Sequence, residues 1–187
     1  QSSKAKIIGL ANAGGDTINS IKQAAEFGIV ERGQNLAGML VFLSDIHGLG
    51  LTTAQGLIFT ESFYWDLNDQ TRAFAKRFAP LNNNKYPTMV QAGVYSAVLH
   101  YLKAIEAGKT DDGTKVVAKM KEMPTDDPLF GKGTIRADGR KLHPAYLVER
   151  KKPVESKGPY DYYKVRSQIP ADQAFRPEKE GGCSLVK

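Results

Sequence analysis

The residues best suited to chemistry follow two apolar runs of strand length. Asp45-Ile46-His47 comes after Met39–Leu43, and Glu61 lies in the run Gly56–Phe63. A carboxylate close to an imidazole could act as an acid–base pair or supply two ligands to a metal ion. The chain has three histidines, none in an H-x-x-x-H spacing: His47, His100 and His143. Polar groups that hydrogen-bond a small ligand therefore explain this segment better than a metal site or a catalytic pair.

The turn Asn12-Ala13-Gly14-Gly15-Asp16 is the second candidate, because glycines before a helix can bind phosphate groups. The turn does not match G-x-G-x-x-G, and Asp16 would place a carboxylate beside the phosphates. No nucleotide cofactor is expected. We interpret the turn as a connection between a strand and a helix that could line a ligand cleft.

The aromatic residues Phe63-Tyr64-Trp65 form the third candidate. They could form the wall of an apolar ligand site or close the end of a sheet, and both interpretations stay open. The chain contains no G-x-S-x-G motif, and its single cysteine, Cys183, has no apparent base beside it. The residues therefore favour binding over nucleophilic catalysis.

The composition is that of a folded protein with a buried core. With 187 residues, 41% apolar and 25% charged, the chain is long enough for one ordinary domain or two small ones with a buried core. The longest apolar stretch, 37–43, is far shorter than the ~20 residues that cross a bilayer. The net charge of +6 comes from basic residues dispersed among acidic ones, so no nucleic-acid partner is expected.

The first third of the chain has the pattern of an α/β protein. The sequence predicts a strand over 6–11, a helix over 16–27 capped by Asp16, and strands over 39–43 and 56–63. Gly28 is placed for a left-handed helix end. The two later apolar runs lack polar alternation, which is typical of buried parallel strands.

Helices dominate the middle of the chain, over 71–79, over 88–107 and from Asp111-Asp112 to Pro124. The helix over 88–107 is apolar nearly all round, which predicts burial on most of its circumference. Asp138-Gly139 predicts a hairpin that pairs 133–136 with 145–148, and 160–169 is a final extended segment.

Several sequence strings, in this order, resemble the periplasmic substrate-binding proteins of branched-chain amino acid ABC transporters. They are Ile8–Asp16 with Ile21–Gly28, Ala54–Leu57 with Glu61–Asp66, Gln91–Val98, and Gly131–Arg140 with Pro144–Tyr146. Together they cover roughly residues 5 to 165 and match that family's C-terminal half.

The resemblance implies a type I periplasmic binding protein fold, in which two α/β lobes with open parallel sheets, joined by three crossovers, hold the ligand between them. Family members are about twice as long, so we expect a fragment containing only the C-terminal half. Residues 1–67 would belong to the C-terminal lobe, the helices of 68–124 would return to the N-terminal lobe, and the hairpin and tail of 125–187 would return to the C-terminal lobe. The helix over 88–107 would then find its sheet partners in the missing half, and Cys183 could pair with a cysteine there.

The resemblance also implies which residues meet the ligand. These would be the turn Asn12, Ala13 and Gly14 and the strand end Ser44-Asp45, where Asp45 aligns best with the position that holds an α-ammonium group. His47 is a departure that would suit a different carboxylate such as an aromatic acid, and Trp65 bears on the same choice between ligands.

The expected function is a periplasmic solute-binding protein that delivers an amino acid or an aromatic or organic acid to a membrane permease. It would not be an enzyme, and it would need no metal or cofactor. The alternative is an α/β enzyme or a sensing domain that reuses the same fold.

Overall fold

The computed structural model describes residues 3–186, which form two compact units. Unit 1 consists of the described residues up to Glu61 together with Tyr146–Gln168. Unit 2 consists of Ser62–Ala145 together with the described residues from Ile169 onward. Residues 125–145 are thus grouped with the helices of unit 2. The assignment of chain segments to lobes stays a prediction.

Unit 1 is an α/β unit. Its strands and helices are β1 (Ile7–Leu10), α1 (Gly14–Glu26), β2 (Asn35–Gly38), α2 (Leu43–Leu49), β3 (Leu57–Glu61), β6 (Ala145–Arg150) and β7 (Tyr163–Ile169), the first residue of β6 and the last of β7 being counted with unit 2. The strand order in the sheet is β1-β2-β3-β6-β7. The predicted parallel arrangement is confirmed for β1, β2 and β3, whereas β6 runs antiparallel to β3 with Phe59 opposite Val148.

The predicted strand over 39–43 is wrong. The strand ends at Gly38, residues 39 and 40 form a bend, and α2 begins at Leu43. Val41 and Leu43 are buried, so the apolar run contributes to the core without pairing in the sheet. A short apolar run does not distinguish a strand from the entry to a helix, and here the run divides into both.

The helix after β1 begins two residues before the predicted position. Ala13 is its N-cap residue and makes no side-chain capping bond, while Asp16 lies in the first turn, where its charge complements the helix dipole. Gly28 has φ +61°, which confirms the predicted left-handed end.

Unit 2 is mostly helical. It contains α3 (Asp69–Phe78), α4 (Met89–Gly108), α5 (Gly113–Glu122), β4 (Thr125–Asp127) and β5 (Gly131–Gly133). The side chains of Asn68, Thr88 and Asp112 each accept a backbone N–H at the start of their helices, a typical role of these residue types. The three predicted helices are confirmed, with ends shifted by one or two residues.

The face that α4 buries is narrower than predicted. Ala92, Ser96, His100 and Ala104, spaced by four residues, form its buried stripe. His100 is a core histidine that is only half satisfied: its Nε2 lies 2.8 Å from the carbonyl oxygen of Met120, whereas its Nδ1 has no hydrogen-bond partner among residues 3–186. A second stripe stays exposed, made by Val90, Val94, Val98, Tyr101 and Leu102.

The predicted hairpin is also wrong in its pairing. β5 pairs antiparallel with β4, and residues 135 and 141 form only an isolated bridge around the turn at Asp138-Gly139. β6 pairs with β3 of unit 1 instead of with 133–136. The turn predicted at Asp138-Gly139 is confirmed, but β6 pairs with a strand that lies far away in the sequence.

Candidate functional site

The carboxyl ends of β1, β2 and β3 lie at one edge of the sheet in unit 1, because these strands are parallel. In open α/β sheets this edge is where ligands bind. The loop of residues 11–13 follows β1, Met39 follows β2, and Glu61 is the last residue of β3. The backbone N–H of Met39 donates to the carbonyl oxygen of Leu10 at 3.1 Å, so two of the strand ends are joined directly.

Asn12 holds the first loop against α1. Its Oδ1 accepts the hydroxyl of Thr17 at 2.9 Å, and its Nδ2 donates to Ser20 Oγ at 2.9 Å. Ala13 is exposed, and Gly14 has φ +57°, which favours glycine. The predicted residues Asn12, Ala13 and Gly14 thus form one short segment between the end of β1 and the start of α1.

Ser44 and Asp45 lie in the first turn of α2, not at a strand end as predicted. Ser44 is exposed, whereas Asp45 is buried and its Oδ2 accepts the backbone N–H of Phe42 at 2.9 Å. Burial raises the pKa of Asp45, and the hydrogen bond from Phe42 offsets only part of that rise. The carboxylate therefore caps its own helix. Asp45 does not lie at the strand end that its predicted role as an ammonium partner assumed, because β2 ends at Gly38.

His47 belongs to a different face of α2 from Asp45, because residues two apart on a helix do not face each other. Its Nδ1 lies 2.8 Å from the hydroxyl oxygen of Tyr162, and its ring stacks on Tyr160 with centroids 4.4 Å apart. Asp45 and His47 are not arranged as an acid–base pair.

Glu61, which lies at the end of β3, is not among the site residues that the sequence predicts. It is 2% exposed, its Oε1 accepts the hydroxyl of Tyr163 at 3.1 Å, and its Oε2 has no hydrogen-bond partner among residues 3–186. Burial raises its pKa well above the usual value, the bond from Tyr163 opposes this, and the nearby charge of Asp45 adds to the rise. A charged residue type at the end of a buried strand was the available signal.

Replacing Glu61 by glutamine is expected to change how stability depends on pH. A carboxyl whose folded-state pKa is raised contributes stability below its unfolded value of about 4.5 and loses it as the pH rises towards the folded-state pKa. Glutamine has no proton to lose, so the variant should gain stability relative to the wild type between about pH 4 and about pH 7. Urea unfolding at both pH values measures this, with exposed Glu26→Gln as the control. A difference that does not vary with pH would contradict it.

Trp65 lies in unit 2, where it packs against the core cluster of Phe63, Phe74, Ala92 and Leu129. Its ring meets Tyr86 edge to face at 4.8 Å and Tyr64 at 5.8 Å. Trp65 is half-buried, so part of its surface stays available to a ligand. The structure thus gives Trp65 a packing role in unit 2 while the other predicted residues belong to unit 1.

Among residues 3–186 no three His, Cys, Asp or Glu side chains are grouped so that they could hold a metal ion. No helix over the same residues has the length and apolar character needed to cross a bilayer.

Comparison with known proteins identifies the fold. The family model described as a periplasmic binding protein matches residues 1–158. A periplasmic binding protein from Burkholderia mallei is 50% identical, with a TM-score of 0.91 over 100% of this chain and 49% of that chain. A branched-chain amino acid ABC transporter periplasmic ligand-binding protein from Burkholderia xenovorans is 44% identical, with a TM-score of 0.89 over 100% of this chain and 50% of that one.

More distant structures share the fold. A solute-binding protein of an ABC transporter from Rhodopseudomonas palustris, in complex with p-hydroxybenzoic acid, is 22% identical, with a TM-score of 0.72 over 91% of this chain and 46% of that chain. Among curated proteins the comparison found no match. The chain spans about half the length of the solved structures it matches. Its α/β fold is that of type I periplasmic binding proteins, and the chain belongs to the periplasmic binding protein family.

Proposed function

We propose that the chain is the C-terminal half of the solute-binding component of an ABC importer. In the periplasm, the whole protein would hold a small amino acid or aromatic acid between two lobes and deliver it to a membrane permease. The match of the periplasmic binding protein family to residues 1–158 carries this proposal. The 44% identity to a ligand-binding protein of a branched-chain amino acid ABC transporter supports it.

We infer that unit 1 contributes its ligand contacts from the sheet edge, and Trp65 of unit 2 stays a separate candidate for a ligand contact. Two segments of unit 1 follow strands whose carboxyl ends lie together. The first is Asn12, Ala13 and Gly14, and the second is the first turn of α2 with Ser44 and Asp45. His47 contributes through its stack with Tyr160, which fixes the orientation of its ring.

The missing N-terminal half covers the exposed stripe of α4. Val90, Val94, Val98 and Leu102 repeat every four residues, so they form one continuous apolar face. Monomeric proteins rarely expose large contiguous apolar patches. The relatives are about twice as long as this chain, which leaves enough polypeptide for a second layer against that face. In this arrangement 1–67 and 125–187 belong to the C-terminal lobe and 68–124 to the N-terminal lobe.

Ligand binding by the full-length gene product tests the proposal. Amino, aromatic and branched aliphatic acids should be screened by thermal shift, and a ligand at one hundred times its Kd should stabilise the folded state by about 2.7 kcal/mol. The Asn12→Ala variant loses two hydrogen bonds that hold the first loop, so its Kd should rise about tenfold.

The matched control is Asn19→Ala, because Asn19 is an exposed residue of α1. Its Kd should equal that of the wild type. The proposal fails if no acid in the screen changes the melting temperature and calorimetry detects no binding.

A further inference from the structure

We propose that the ligand is an amine-free carboxylate with an apolar body, and that Met39 and Leu40 contact that body. The inference rests on the proposed function and decides between the two ligand classes that it leaves open. Its basis is the chemical character of the sheet edge in unit 1, where β2 ends at Gly38 and two large apolar side chains follow.

Both side chains are presented to solvent. Met39 is 64% exposed and Leu40 is 39% exposed, although they are the first and second residues after β2. The Met39 side chain extends over β1, since a Cβ placed at Gly9 would lie 3.6 Å from its Cε. Solvent-facing apolar side chains are common, but here two consecutive ones lie at the edge where α/β sheets bind their ligands.

The two buried carboxylates near this edge are not placed to pair with an ammonium group. Asp45 is 9% exposed and its Oδ2 already accepts the N–H of Phe42. Glu61 is 2% exposed at the end of β3 and its Oε1 accepts the hydroxyl of Tyr163, so a ligand at the surface does not reach its carboxyl group. Asp16 is exposed in the first turn of α1, where an ion pair formed in water would contribute at most about 1 kcal/mol.

An ammonium group covered against Met39 and Leu40 would lose water without gaining a buried ionic partner among residues 3–186. Desolvating an unpaired charge is costly, whereas covering Met39 and Leu40 with a branched or aromatic group is favourable. The apolar end of the ligand would therefore meet unit 1, and its carboxylate would be bound by residues outside this chain.

Three pairs of compounds test the inference, because the members of each pair differ only by the ammonium group. They are leucine and 4-methylpentanoate, phenylalanine and 3-phenylpropanoate, and tyrosine and 3-(4-hydroxyphenyl)propanoate. With the full-length gene product, calorimetry near neutral pH should give at least about tenfold tighter binding for the amine-free member of a binding pair. Equal or tighter binding of the amino acid would overturn the inference and leave the proposed function standing.

Any ligand that copurifies gives a second readout. Mass spectrometry of the denatured full-length protein should identify an acid without a primary amine, and an amino acid would overturn the inference. If nothing copurifies and no acid from the wider screen binds, the proposed function itself fails and this inference fails with it.

A Leu40→Glu variant tests the location. The new carboxylate would stand at the exposed edge and should shift the ratio of the two Kd values towards the amino acid by at least about fivefold. The control is Val154→Glu, which makes the same change of charge at another exposed apolar residue of unit 1 and should leave the ratio unchanged. An unchanged ratio in Leu40→Glu would show that Leu40 does not contact the ligand and would overturn its assignment.

Discussion

Replacing Asp127 by alanine is expected to lower the free energy of unfolding by about 2–4 kcal/mol, because it leaves the partly buried Lys141 ammonium and two backbone N–H groups without their partner. Asp127 is buried in unit 2 at the end of β4. Its Oδ2 accepts hydrogen bonds from Lys141 Nζ at 2.7 Å and from Ser96 Oγ at 2.7 Å. Its Oδ1 accepts the backbone N–H groups of Leu129 and Phe130, both at 2.9 Å. Denaturant unfolding of the full-length gene product measures the loss.

The neighbouring Asp126 is the matched control, because its side chain is exposed and the Asp126→Ala variant should change stability by less than about 0.5 kcal/mol. A loss below about 1 kcal/mol for Asp127→Ala would contradict the expectation.

The same carboxylate makes stability sensitive to acid. Burial works to raise the pKa of Asp127, but the hydrogen bonds from Lys141, Ser96 and the two backbone N–H groups outweigh it and lower the pKa below 3.8. Its contribution is therefore present above the unfolded-state value and is lost as the pH falls through the lowered one. The stability difference between the wild type and Asp127→Ala should shrink over that range.

Replacing Phe59 by alanine should cost about 3–5 kcal/mol through the cavity it leaves in unit 1. Phe59 is 2% exposed in the middle of β3, opposite Val148, and its ring meets Tyr163 edge to face at 5.0 Å. The loss should appear as a lower denaturant midpoint with the same slope. Phe27, exposed at the end of α1, is the control, and Phe27→Ala should cost less than about 1 kcal/mol. Equal effects of the two substitutions would contradict the burial of Phe59 in the core of unit 1.

Most of the fold could be predicted from the sequence where one local signal dominated. The helix over 88–107 could be predicted because a long run of mostly apolar residues is flanked by Thr88 and Gly108, and α4 has nearly these bounds. The strand over 39–43 could not be placed correctly, because its apolar residues serve a strand exit and a helix entry at once. The partner of β6 could not be found either, since pairing between distant segments leaves no local pattern.

The candidate site could be predicted less well, for a related reason. Asn12, Ala13 and Gly14 follow a correctly predicted strand, so their position at the sheet edge followed from the sequence. Asp45 was assigned from a strand that ends seven residues earlier than its position, and only the structure shows that its carboxylate caps α2. The raised pKa of Glu61 follows from its burial, and that burial depends on residues such as Tyr163 that are distant in the sequence.

The pairing of β3 with β6 has a consequence for the order of folding. Ile58 faces Glu149, so the sheet of unit 1 cannot close until the chain has looped through residues 62–144. Such long-range pairing slows folding, because the entropy of loop closure is lost before the strand contacts form. Until then β3 has an open hydrogen-bonding edge beside Leu57 and Phe59, and edges of this kind promote aggregation. The rate at which unit 1 refolds should therefore depend on how quickly the intervening segment becomes compact.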